Sequence, residues 1–462
     1  MRFPLPFGLL ELIDQVPGEL WSARLGLSLT HERAKGPKSM FTPYINLLPA
    51  VHSGIPLFFG PDAVRELQYP PVVEQLKRRS RFLISFANGP LAAAVSAPHG
   101  GPFDGFAVDA NALGWAFACA SSRAFRVGGP HLPAAMLPLV DVANHSFEPS
   151  AVVRPALGLG PGAIEMVASR SVQAGEEISL NYGDLTNDAL LLDYGFVPED
   201  NPHDAAGLRW DLGLIEAARE VAGLSAVPFG AAAAAAGAGA SASGSSSSSA
   251  DVYFAPWQKK ILRDLRLEKG VGGGGGDGGG VDPEVLVTRN ARQPVDPRLL
   301  AGLRILYASS PADLVDGGGG GGGHEGTGDM GSGGGGGDVA ANGGETTGAA
   351  GIPVTLGSLW DSPLDRVREA YALRTCQAAL ALALGNFPTT LKEDEQILSK
   401  LHSEEEKTGD GGGDGVGEGG AATASRRDVA TAVRFRMEKK RVISGAMKII
   451  DERLRAVLSS DS

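Results

Sequence analysis

Residues 141–146 read DVANHS, and residues 163–196 read AIEMVASRSVQAGEEISLNYGDLTNDALLLDYGF. Between them lies a Gly/Pro-rich loop. Apolar and polar residues alternate through Ile164, Met166 and Ala168, a turn signal follows at Ala174-Gly175, and the alternation resumes through Ile178 and Leu180 to Tyr182. Period-two alternation on both sides of a turn predicts a β-hairpin that ends on a tyrosine. Asn187 to Leu192 then has room for one or two helical turns, which would deliver Tyr194 and Phe196 close behind Tyr182. The three aromatic side chains are expected to converge near Asn144 and His145.

In this order and spacing, NHS at 144–146, GEEISLNYGD at 175–184 and LLLDYGF at 190–196 resemble the SET domain of the Rubisco large-subunit methyltransferase class. Three linked motifs carry far more information than any one of them. The resemblance implies an α+β chain, with a SET-type β-fold interrupted by a helical insert and followed by an all-α substrate-binding domain. It also implies S-adenosylmethionine as cofactor, a protein presenting a lysine as substrate, and no metal ion. By the same resemblance Tyr182 is the catalytic phenol, Arg123 in SSRAF pairs with the cofactor carboxylate, and Asn144 and His145 grip the cofactor's adenine and amino-acid ends. Tyr194 and Phe196 would wall the lysine channel, and Asp141 would face the substrate. Each has a plainer alternative: a core tyrosine, a surface arginine, a buried histidine capping a strand, core aromatics, a structural carboxylate. The class carries an arginine four residues beyond position 123, where this chain has Val127; Arg126 is the candidate to replace it.

The chemistry explains why such residues are wanted. Transfer of a methyl group from a sulfonium to a lysine needs a neutral amine, yet at a pKa of about 10.4 a free lysine is neutral roughly once in several thousand at pH 7. The site must therefore favour the deprotonated amine. A desolvated aromatic channel does so and still tolerates the cationic product.

The 462 residues suffice for two or three domains, and 43% hydrophobic residues can supply their cores. A net charge of -12 argues against a protein that coats nucleic acid through a global positive field. Two distant cysteines, Cys119 and Cys376, give no disulfide framework and make a reducing compartment the default. No apolar run is long enough to span a membrane. The N-terminus fits neither a signal nor a transit peptide, so localisation is left between chloroplast stroma and cytoplasm or nucleus, and not secretion. A monomer is expected.

In chain order, Leu9, Leu10, Leu12 and Ile13 suggest a strand before Pro17-Gly18, and residues 23–39 suggest a helix stopped at Gly36-Pro37. The class places a Gly-x-Gly strand turn just before QVPGELW, and this sequence has none there. Either Met1 is an internal start or the cofactor site is incomplete. Residues 50–110 read as a mostly helical insert, residues 109–125 as a helix, and MLPLVDVANHS as a buried strand ending on Asn144 and His145. The SET domain is thus assigned to 1–200. The helical substrate-binding domain is assigned to 205–458, with low-complexity inserts expected to be disordered at 229–250, 270–280, 316–351 and 408–420. The last helix has apolar residues at helical period and a basic opposite face, read as a solvated face.

Three functions stay open at this point. The first is an S-adenosylmethionine-dependent protein-lysine methyltransferase. The second is a non-catalytic binding module that kept this fold, and the third is a methyltransferase acting on histidine.

Overall fold

The computed structural model describes residues 5–96, 98–127, 131–156, 162–237, 254–267, 284–314, 346–347, 353–354, 364–408 and 418–459. The chain divides into two units, one of residues 1–204 with 389–438, the other of residues 205–388 with 439–462.

The first unit opens with α1 (Phe7–Asp14), where the strand was expected. Leu9 and Leu12 are buried while Phe7 and Leu10 are exposed, so the apolar residues serve a helical face rather than an alternating one. Helix α2 (Trp21–Ala34) follows, then the single turn α3 (Thr42–Ile45). The insert supplies α4 (Pro61–Glu66), α5 (Pro70–Phe86) and α6 (Ala92–Val95), and α7 (Ala110–Arg123) closes it. Asp109 starts α7 by accepting the Ala112 amide at 2.8 Å, leaving Arg123 in its last turn. Gly26 of α2 lies against the Ala116 backbone of α7, where a Cβ would stand 3.0 Å from the carbonyl carbon. This close approach buries Leu27, Leu113 and Phe117 in one core, and Leu29, Tyr44 and Cys119 in another.

Short strands come next: β1 (Ala124–Phe125) with β2 (Ala135–Met136), then β3 (Asn144–His145), β4 (Ala151–Pro155), β5 (Ile164–Ala168) and β6 (Ser179–Leu180). Their pairing corrects the expected hairpin. β5 pairs antiparallel with β4, and β6 pairs in parallel with β3. The turn at Ala174-Gly175 does form, with Gly175 at φ +84°, but it leads away from β5. Ser150 explains where it leads: its hydroxyl accepts the Ser179 amide at 2.9 Å and reaches the Glu177 carbonyl at 3.3 Å, tying β6 to the root of β4. Period-two alternation marks a strand without naming its partner. The expected buried strand through MLPLVDVANHS is also broken. A tight turn occupies Val140–Val142, preceded by Leu139 at φ +73° and largely exposed. After β6 comes a short helix, α8 (Asn187–Ala189), which widens at once into a turn over Leu190–Tyr194.

The second unit is largely helical with two antiparallel pairs among its described residues, β7 (Ala205–Arg209) with β8 (Glu284–Thr288), and the two-residue strands β9 (Thr346–Thr347) and β10 (Pro353–Val354). Its helices are α9 (Leu212–Val221), α10 (Ala231–Gly237), α11 (Pro256–Asp264), α12 (Pro297–Tyr307) and α13 (Arg366–Gly385). α10 corrects part of the disorder expected over 229–250. Alanine is the strongest helix former, and Phe229 and Ala233 are buried. Residues 238–250 and 270–280 lie outside the described residues, as do 316–351 except Thr346–Thr347, and 409–417 of the last insert. Gly302 of α12 stands where a Cβ would meet Trp210 at 2.4 Å, and Arg304 and Glu369 form a buried two-point ion pair at 2.8 and 2.6 Å.

Two long helices follow, α14 (Leu391–Thr408) and α15 (Glu418–Ser459). The sequence assigns 389–438 to the C-terminal domain; by its contacts the segment groups with the first unit. Both apolar and charged contacts hold it there, with Phe435 buried edge-on to Tyr69 at 5.8 Å. Arg436 is fully buried, bonded to Asp394 at 2.9 Å and in contact with the Glu66 carboxylate. The basic face of α15 is therefore not wholly solvated: Lys439 is buried as well, donating to the Ala205 carbonyl at 2.6 Å. No helix among the described residues is long and apolar enough to cross a membrane.

Candidate active site

All the candidate residues lie in the first unit, carried by the end of α7, the Val140–Val142 turn, β3, the segment after β6 and the wide turn after α8. The wide turn is pinned from several sides. The Gly195 amide donates to Leu190 at 3.0 Å and Leu191 at 3.1 Å, Ser121 of α7 donates to the Asp193 carbonyl at 3.2 Å, and Arg79 of α5 bonds the Asp193 carboxylate at 2.5 Å. Gly195, at φ +82°, then packs backbone to backbone against Gly54, which is also at +82°. Only glycine fits at either position, since a Cβ on Gly54 would stand 2.3 Å from the Gly195 carbonyl oxygen.

This frame gathers four rings. Tyr182 stacks on Tyr194 at 4.8 Å between centroids, and Phe196 stands edge-on to both. His145 joins them, 5.2 Å from the Tyr182 ring and 5.9 Å from Phe196. The Tyr182 hydroxyl donates to the Ala143 carbonyl at 2.7 Å. Its hydrogen is thereby committed to main chain, and its oxygen lone pairs are left to accept a donor from the cleft. Burial pushes both tyrosine phenols above their ordinary range, so both stay protonated. His145 accepts the Tyr182 amide on Nδ1 at 3.2 Å, and burial lowers its pKa, with His203 adding to the shift. In the neutral ring the hydrogen then sits on Nε2, which is buried without a partner among the described residues.

Arg123 donates to the Asp141 carboxylate and to the Asp141 carbonyl, each at 3.2 Å. Asn144 is exposed at the rim and donates to Glu177 at 2.6 Å. Arg126 lies over the Trp21 ring at 5.1 Å and donates to the Leu132 carbonyl.

Two cavities meet at Arg123, Asp141, Tyr182 and Tyr194. One, of about 620 Å³, is bounded by His52, Asn144, His145 and Phe196. The other, of about 530 Å³, is bounded by Phe125, Arg126, Val152, Val153 and Leu185. Both are of the size of small-molecule sites. The larger has buried donors without partners among the described residues, Arg123 Nε and His145 Nε2, which fit a ligand bearing a carboxylate and further acceptors. The smaller is the more aliphatic, suited to the stem of a long side chain. Among the described residues no group of three or more His, Cys, Asp or Glu could hold a metal ion.

Sequence reasoning missed Tyr44 and His52. The Tyr44 hydroxyl donates to Asp141 at 2.6 Å, and His52 Nε2 lies 3.2 Å from Cys119 Sγ while its ring stacks on Phe58. Burial, reinforced by the Arg123 guanidinium, pushes the His52 imidazole down to about 4, and burial pushes the Cys119 thiol up to about 12.

With this geometry in view, residues 28–183 match the SET domain family and residues 339–443 match the Rubisco LSMT substrate-binding family. The fold is similar to a crystal structure of the SET domain of LSMT bound to lysine and AdoHcy, with a TM-score of 0.56 at 16% identity over 97% of this chain and 78% of that one. It is also similar to Rubisco LSMT bound to AdoMet, with a TM-score of 0.52 at 16% identity over 98% of this chain and 82% of that one. Curated relatives include the actin-histidine N-methyltransferases of Rhinolophus ferrumequinum, at 28% identity over 206 residues, and of Homo sapiens, at 27% over 206 residues. Each match covers 42% of this chain and spans only 33% of the relative's length.

Proposed function

Because the chain carries a SET domain and a Rubisco LSMT substrate-binding region, we propose that it is an S-adenosylmethionine-dependent methyltransferase acting on a lysine ε-amine of a protein. S-adenosylmethionine supplies an electrophilic methyl group on sulfur. The larger cavity would hold it, with Arg123 meeting its carboxylate and with Asn144 and His145 beside it; Phe196, expected from the sequence to wall the lysine channel, borders this cavity and not the smaller one. The smaller, more aliphatic cavity would hold the lysine stem between Phe125, Val153 and Tyr194, with Asp141 at its inner end. The observation that carries this reading is the Tyr182 hydroxyl, whose hydrogen is tied to Ala143 where the two cavities meet. Its free lone pairs can accept an N–H of the amine and turn the nitrogen lone pair toward the methyl carbon. This is alignment rather than proton abstraction. The aromatic walls disfavour the charged amine before transfer and tolerate the methylated cation after it.

The names of the curated relatives support one second reading, transfer to a histidine nitrogen. One experiment separates the two: methyl incorporation from labelled cofactor into a protein extract, followed by identification of the methylated amino acid. Methyl-lysine supports the first reading, and methyl-histidine replaces it with the second. Tyr182→Phe keeps the ring and deletes one hydroxyl, so turnover should fall by roughly 100-fold with cofactor affinity nearly unchanged. Equal turnover removes Tyr182 from the mechanism, and no incorporation by the parent in any extract leaves a binding module.

A further inference from the structure

Asp141 has an unusual set of partners. Its side chain is fully buried, it borders both cavities, and both of its side-chain donors bond the same oxygen: Oδ2 accepts from Tyr44 at 2.6 Å and from Arg123 Nη1 at 3.2 Å. The other oxygen, Oδ1, is buried with no donor among the described residues, and Arg123 Nε likewise has no partner among them. An arginine and a carboxylate frequently close into a two-point pair that uses both oxygens. Here the pair stays open. The second donor, Tyr44 on α3, reaches Asp141 across 97 positions of chain. Its ring is packed among Leu29, Ile45, Leu48 and Met136, and burial together with the Asp141 carboxylate holds its phenol far above the ordinary range, so it stays a donor.

We propose that Tyr44 is a positioning residue for substrate selection: it clamps Asp141 Oδ2 so that Oδ1 is presented to the cleft as the acceptor for a cationic amine, the ε-ammonium of a lysine. This rests on the methyl-transfer reading of the cleft. A buried carboxylate oxygen without a donor is costly, and an arriving ammonium supplies the missing N–H while delivering a charge complementary to the carboxylate. Without the phenol the carboxylate is free to rotate and close on Arg123, which would withdraw the acceptor. The ammonium would thus be captured at Asp141 and give its proton to solvent on passing between the aromatic walls, before Tyr182 turns the neutral amine, so Tyr44 governs capture and leaves the transfer step alone.

The test needs no knowledge of the protein substrate. Calorimetry on the full chain with saturating S-adenosylhomocysteine compares free L-lysine with L-norleucine, which keeps the carbon stem and lacks the ε-amine. Tyr44→Phe should weaken lysine by about 5- to 10-fold, the scale of one hydrogen bond to a charged group, and leave norleucine within about twofold. Asp141→Asn should weaken lysine at least as much, and the double variant should be no weaker than Asp141→Asn, because both act through one oxygen. Tyr44→Met, which keeps an apolar filling without a hydroxyl, should behave as Tyr44→Phe does. Equal losses for lysine and norleucine, or additive losses in the double variant, would overturn the assignment to Tyr44. If the parent binds lysine and Tyr44→Phe binds it equally well, Tyr44 alone is excluded. If the parent binds no lysine at millimolar concentration, the reading of the cleft falls with it.

Discussion

His52 shows how much a single side chain can report about this cleft. Its imidazole is held near 4, against an ordinary value near 6.5, by burial first and then by the Arg123 guanidinium. The sign of the consequence follows from proton counting. Between pH 6.5 and about 4 the unfolded chain binds a proton at this position that the folded chain does not. The stabilisation is therefore fully present above 6.5 and is lost as pH falls toward 4. At pH 5 the loss should be on the order of 1–2 kcal/mol, and His52→Phe should remove that part of the acid dependence. Denaturant titrations of parent and variant at pH 7 and pH 5 check this; an unchanged difference between the two pH values would show that His52 is protonated in the folded state. Tyr44 and His52 also mark where the sequence stops being legible. The Tyr182, Tyr194 and Phe196 cluster could be read because one short stretch carries all three. Tyr44 finds Asp141 and His52 finds Cys119 only through tertiary packing, and no local spacing announces either meeting.

At the scale of elements, the paired glycines are the joint between the loop that carries His52 and the turn that carries Tyr194 and Phe196. Gly54→Ala should be far costlier than its size suggests. The new methyl group meets the Gly195 carbonyl at 2.3 Å, and φ at +82° is strained for alanine. A loss of about 1–3 kcal/mol in stability is expected, together with weaker S-adenosylhomocysteine binding, because the larger cavity borders both segments. Thermal melting and calorimetry measure the two effects. Full retention of both would mean that the two backbones part without consequence. The elements that sequence alone misplaced share a cause. Residues 137–143 carry the pattern of a strand, but burying Asp141 beside Arg123 and Tyr44 requires a turn there. Leu9 and Leu12 fit a strand or a helix equally until the core they enter is known. Helix α7 was legible because Asp109 and its alanine-rich run leave little competition.

Across the whole molecule, each unit hides a charged cluster at a place where apolar packing would have been the simpler solution. In the second unit, Arg304 and Glu369 are both nearly inaccessible, with side-chain exposures of 5% and 4%. Removing one partner strands the other, so Glu369→Ala should lower stability by about 3–5 kcal/mol. Replacing both, as Arg304→Met with Glu369→Leu, should recover most of the loss. The denaturant midpoint of the single and double variants decides it, and a double variant as unstable as the single would show that the pair contributes more than it costs to bury. None of this was visible in composition: a net charge of -12 describes the chain without saying which charges are inside. In the first unit the corresponding cluster is Arg436, fully buried between Asp394 and Glu66.

The wide turn over Leu190–Tyr194 has a consequence of its own. A turn closed by an amide reaching five residues back, as Gly195 reaches Leu190, holds one residue more than an ordinary helical turn. Along an α-helix each residue advances the direction of its side chain by about 100°, so that surplus residue sets the bearing of Tyr194. Shortening the segment by one would leave every side chain of the cleft chemically intact and aim the ring away from Tyr182. The length of this turn, as much as the identity of its residues, is therefore inherited information, and insertions or deletions here would be read by the cleft as a change of compass heading.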